Sequence, residues 1–161
     1  MTDMATIDEV IVAICDTITN ATGLRSGMLS DTVNVGKGPF VQVYPAAEIG
    51  DGDTYYQSMS RGVVTIQFYA QVLCSSTADR AQLKQLHEAI SPAGPTSIPQ
   101  AIFNHPTLGT TADEGVAGST ARMSAKCSGM SAYGFTPEEP GQPRYLTATI
   151  RIHVQLTRDR S

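Results

Sequence analysis

Tyr145-Leu146-Thr147-Ala148-Thr149-Ile150-Arg151-Ile152-His153-Val154-Gln155-Leu156-Thr157 alternates apolar and polar residues without a break. In an extended chain successive side chains point to opposite sides. Leu146, Ala148, Ile150, Ile152, Val154 and Leu156 therefore share one side, and Thr147, Thr149, Arg151, His153 and Gln155 share the other. A period of two held this long predicts a strand in a sheet with one covered face and one polar face. The run from Gly62 to Cys74 repeats the pattern. There Val64, Ile66, Phe68, Ala70, Val72 and Cys74 alternate with Thr65, Gln67, Tyr69 and Gln71. Thirteen residues of strand span about 43 Å at roughly 3.3 Å each, beyond the ~15 Å radius of gyration of a compact domain this size. Part of the hairpin is therefore expected to project.

The remaining elements fall around these two strands. Thr120 to Tyr133 alternates at first, with Ala121, Met123, Ala125 and Cys127 on one side, and Gly129 predicts a bulge. Thr136 to Pro143 holds three prolines and reads as a turn. Phe40 to Tyr44, fenced by Pro39 and Pro45, is a short strand. Helical spacing of Ile7, Val10, Ile11, Ile14, Cys15 and Ile18 predicts a helix over about 7–20, with Thr6 and Glu9 as a capping box and Gly23 as its stop. A second helix is expected from Ser76 to Ile90, capped by Ser76 or Thr77. Ser97 and Gln100 form another possible capping box, with Pro99 in the first turn of a short third helix expected to about Asn104 and Pro106 closing it. Leu108 to Ser119 reads as loop. Ala46 to Arg61 is polar, with Asp51-Gly52 as a turn signal, and reads as an extended hairpin arm or a loop.

The expected fold is a single α+β domain over 1–161. It has a mostly antiparallel four-stranded sheet, two main helices on one face, a short third helix, and a long projecting hairpin or loop between the first two strands.

Composition narrows the function. A chain of 161 residues has room for one domain with a real core. Only 16% of its residues are charged, against about 25% in ordinary soluble domains. Its formal net charge of −4 argues against a nucleic-acid surface, which needs clustered Lys and Arg. A surface of Ser, Thr and Gln suits burial against other protein. The apolar run Val10–Cys15 follows Asp8 and Glu9, the wrong charge for an export signal, and it is far short of the about 20 residues of a membrane span. Cys15, Cys74 and Cys127 are an odd set with no close pair, as expected of reduced thiols in a protein made in the cytoplasm.

Motifs of catalysis are missing from the sequence. Gly50-Asp51-Gly52 has Tyr55 where a dinucleotide fingerprint needs glycine, and Gly36-Lys37-Gly38 has no hydroxyl after its lysine. No G-x-S-x-G, H-E-x-x-H or C-x-x-C occurs. The cysteines sit in phase with apolar residues and read as core, while His87, His105 and His153 are scattered. Asp51 and Asp53 lack the rest of a calcium loop. The expectation is a protein without enzymatic activity, metal or cofactor. The residues that stand out are Tyr55 and Tyr56, adjacent aromatics in a polar stretch with Ile49, Met59 and Arg61 nearby. That mix is enriched at protein interfaces, and these five residues are the candidate subunit interface.

The helix–strand–arm–strand–helix–strand–strand order resembles the tail terminator proteins of long-tailed bacteriophages, the lambda-like minor tail proteins. Pro92-Ala93-Gly94-Pro95-Thr96-Ser97-Ile98-Pro99-Gln100-Ala101-Ile102 and Asn104-His105-Pro106-Thr107-Leu108-Gly109 are similar to phrases in terminators of phages infecting actinobacteria. The resemblance spans nearly the whole chain in topology. It implies a homohexameric ring that caps the tail tube, ends tail elongation and joins the tail to the head connector. The implied partners are copies of the chain, the tail-tube protein and the head–tail connector, with no membrane and no recognition of nucleic-acid sequence. The implied location is the tail neck of the virion, after assembly in the host cytoplasm. Another head–tail joining protein or a tail-tube protein is the alternative, and a small ligand-binding or enzymatic α+β domain is a third.

Overall fold

The computed structural model describes residues 6–28, 35, 38–46, 56–60, 63–77, 79–108, 122–136, 140–141 and 144–157. The chain is α+β. Helix α1 (Ile7–Thr22) starts at the expected capping box, in which Thr6 accepts from the Glu9 amide, and ends at Gly23 in the left-handed region at φ 78°. Helix α2 (Arg80–Ile90) starts later than its sequence predicts. Asp79, and not Ser76 or Thr77, is its N-cap, in a capping box with Gln82. A carboxylate bonded to free amides at a helix start is favoured further by the helix dipole. Helix α3 (Ile98–Asn104) is capped by Ser97 as expected.

Six strands form one mixed sheet: β1 (Arg25–Gly27), β2 (Phe40–Pro45), β3 (Tyr56–Ser60), β4 (Val63–Ser75), β5 (Arg122–Phe135) and β6 (Tyr145–Thr157). The order is β1-β2-β4-β6-β5, with β3 also on β4. Four strands are those expected, and β1 and β3 are additions. β1 pairs parallel to β2, so the sheet is mixed. A three-residue strand leaves no period-two signature to read, and its parallel partner lies beyond a long connection.

The expected arm is corrected in part. Tyr56–Ser60 is a sheet strand that pairs along the first half of β4, where Ser60 lies opposite Val63. The Asp51-Gly52 turn signal lies outside the described residues. β2 pairs with the second half of the same β4 edge, from Phe68 to Leu73. β2 and β3 thus lie end to end along one edge of β4. The loops expected at 47–55 and 109–119 fall outside the described residues.

Nor do the long strands project. β4 and β6 pair from Val63–Thr157 to Ser75–Tyr145, and apolar side chains are buried at both ends, Val64 and Leu156 at one and Cys74 and Leu146 at the other. Helices cover both ends: the Cys74 thiol reaches the Gln82 carbonyl of α2 at 4.0 Å, and Ala125 of β5 donates to the Pro106 carbonyl just after α3. All three helices lie on the apolar face. Val10, Ile14 and Ile18 of α1, Leu86 of α2 and Ile98 and Ile102 of α3 join Phe68, Ala70, Ile150 and Ile152 in one core cluster.

The opposite face is less open than its composition predicts. Gln67, Thr147 and Thr149 are buried there, as are Tyr69 and Leu73. Tyr69 packs edge-on against Tyr44, 5.7 Å between centroids, and the Thr147 hydroxyl donates to the Gly134 carbonyl. Phe40 lies opposite Leu73 in the β2–β4 pairing. Aromatic and aliphatic neighbours, together with a satisfied hydroxyl, take the centre of this face away from water.

Candidate interaction surface

Of the five expected interface residues, Tyr56 and Met59 lie in β3, opposite Ile66 and Val64 of β4. Ile49, Tyr55 and Arg61 fall outside the described residues. The structure therefore brings Tyr56 and Met59 into one strand and describes no cluster of all five.

A different surface emerges on β5, at the far edge of the sheet. β5 pairs with β6 alone among the described strands. Two register shifts break that pairing, between Cys127 and Gly129 and between Met130 and Ala132. The first is the bulge expected at Gly129, which takes φ 131°. The second, at Ser131, has no glycine to announce it. Each inserts one residue and moves the later side chains to the other face. The first turns Met130 to the helix-covered face, opposite Ile150, and the second restores the original alternation, so Tyr133 and Phe135 lie on that face too, opposite Ala148 and Leu146. The helices cover them only in part. Met130, Tyr133 and Phe135 are about half exposed, and Phe103 of α3 is 79% exposed.

Polar groups edge this strip. The Tyr133 hydroxyl lies 3.0 Å from His87 Nε2 of α2, and the Arg144 guanidinium sits over the Phe135 ring at 4.8 Å. Beside the strip is an open groove of about 610 Å³ between α3 and the edge of β5. α3 contributes Pro99, Gln100 and Phe103, β5 contributes Ala125, Lys126 and Cys127, and Pro92 and Pro106 come from the flanking turns. Burial pushes the Cys127 thiol up to about 12, and it raises that of Cys74 as well. A thiol held protonated is a poor nucleophile and a poor ligand. Among the described residues no group of three His, Cys, Asp or Glu is placed to hold a metal ion, and no helix is long and apolar enough to cross a membrane.

The chain matches no protein-family model, and no curated protein has significant similarity to it.

Chemically the surface is an apolar edge with an aromatic strip and few charges, suited to burial against protein. Phe103 was not singled out in the sequence, although it is the one large apolar residue off the Ile98–Ala101–Ile102 stripe of its helix. Met130 was hidden because the first bulge moves it to the other face, whereas Tyr133 and Phe135 keep the parity of Ala125 and Cys127 and read as core residues until β5 is seen to be an edge.

Proposed function

We propose that the chain is a structural protein of a phage tail that assembles into a homohexameric ring on the end of the tail tube. There it ends tail elongation and offers a joining surface to the head connector, in the neck of the virion. The observation that carries this reading is the exposure of Met130, Tyr133 and Phe135 on the outermost described strand, with Phe103 exposed on the helix that packs against it. Exposed aromatics of this kind mark protein contact surfaces. The sheet ends in unlike edges, β5 on one side and β1 on the other. A head-to-tail contact between two different surfaces closes into a ring or runs on as a filament. The helix–sheet order and the two sequence phrases quoted above add the likeness to tail terminators.

The test is assembly by the purified full chain, followed by sedimentation velocity and electron microscopy and repeated with tail tubes added. The expected result is a discrete ring whose size does not change with concentration and which binds tube ends. Unlimited growth would instead indicate a tube protein. A monomer at every concentration, with no binding to tubes, would overturn the reading.

A further inference from the structure

The outer face of α1 and the strand β5 differ in charge. The outer side of α1, which packs over β1 and β2 at one end of the sheet and against α3, presents Asp8, Val12 and Asp16 to solvent, with Val12 40% exposed. No Lys or Arg occurs in Ile7–Thr22. At the other end, β5 carries Arg122 and Lys126 and no acid. Lys126 is exposed and lines the apolar groove with Phe103.

The spacings match. Eight residues of helix put Asp16 about 12 Å beyond Asp8, with Val12 midway. Four residues of strand put Lys126 about 13 Å from Arg122.

We propose that the β5 edge and its groove receive the outer face of α1 from a second copy of this chain, with Val12 against the groove and Asp8 and Asp16 facing the basic positions 122 and 126. This rests on the ring reading and names the two surfaces that meet at each contact. The contact is heterologous, because the α1 face and the β5 edge are different surfaces of one subunit, so every subunit both gives and receives. Complementary charge sets the register of such a contact and disfavours the two like pairings, β5 on β5 and α1 on α1.

The test uses charge reversal in the full-length protein at about 0.05 M salt, where charges across a contact are little screened. One variant carries Arg122→Glu and Lys126→Glu, and the other carries Asp8→Lys and Asp16→Lys. Circular dichroism melts confirm that each variant folds. Each variant alone should associate at least about tenfold more weakly than the wild type, since like charges then meet at every contact. Mixed one to one, the two variants should recover rings of wild-type size, because each supplies the surface that the other now needs.

Two variants that assemble alone as well as the wild type would overturn this placement and leave the ring reading standing. So would a loss confined to one variant, or a mixture that fails to recover. A wild type that stays monomeric under every condition, with tail tubes present or not, would remove the ring reading itself and this proposal with it.

Discussion

Cys127 shows how far a single residue can mislead and inform. It lines the groove beside Lys126, where a reactive thiol would suggest chemistry, yet burial raises its pKa to about 12. Well below pH 9 the thiol is protonated in the folded and the unfolded chain alike, so it adds no pH dependence there. Between about 9 and 12 the unfolded chain gives up a proton that the folded chain keeps, so this contribution to stability falls as pH rises. Urea titrations at pH 8 and 10.5 should show that loss, and Cys127→Val should reduce it. A pH profile that the substitution leaves unchanged would contradict the assignment. Phe103 makes the opposite case. At 79% exposed it contributes little to the fold, and Phe103→Ser should shift stability by no more than about 0.5 kcal/mol. The same change should weaken self-association about tenfold or more, as removal of an aromatic anchor does. Melting and sedimentation of the one variant separate the two effects.

At the scale of elements, helix starts follow local hydrogen bonding and can be tested one side chain at a time. Asp79 accepts from the Gln82 amide at 2.9 Å, so Asp79→Ala should cost about 1 kcal/mol. Ser76→Ala should cost much less, because the helix does not begin there. Denaturant melts that ranked the two the other way would restore the earlier cap. The strands teach a different lesson. β4 and β6 were legible nearly residue for residue, because thirteen residues of uninterrupted alternation leave one reading. β5 was legible as far as Cys127. Beyond it, the bulge at Gly129 has a signal in the residue itself, whereas the shift near Ser131 has none, since serine is at home in regular strand and bulge alike. β3 was hidden in a stretch whose polarity and Asp51-Gly52 step pointed to an arm, and its pairing with β4 supplies what its composition lacks.

For the whole molecule, one core joins all three helices to the sheet, so unfolding should be a single event. Phe68, fully buried in β4, touches the centre of that core, and Phe68→Ala should cost about 3–5 kcal/mol. Far-ultraviolet circular dichroism and the exposure of Cys74 to a thiol reagent should then report the same midpoint in wild type and variant. Separate midpoints would mean that the helices and the sheet are held by different cores. The residues by themselves determined the α+β class, the limits of β4 and β6 to within a residue, the helix caps at Thr6 and Ser97, and which side chains share the covered face of those strands, because periods of 2 and 3.6 are local properties of a chain. Only the tertiary structure decided the strand order, the parallel pairing of β1, the place of Tyr56–Ser60 along β4, and the burial of Gln67, Thr147 and Thr149 on the nominally polar face. It also decided that β5 stands at the edge, which turns Met130, Tyr133 and Phe135 from core-facing residues into a surface. Periodicity states which residues share a face. Whether that face is covered depends on which strand lies next to it, and that neighbour is chosen by contacts far apart in the chain.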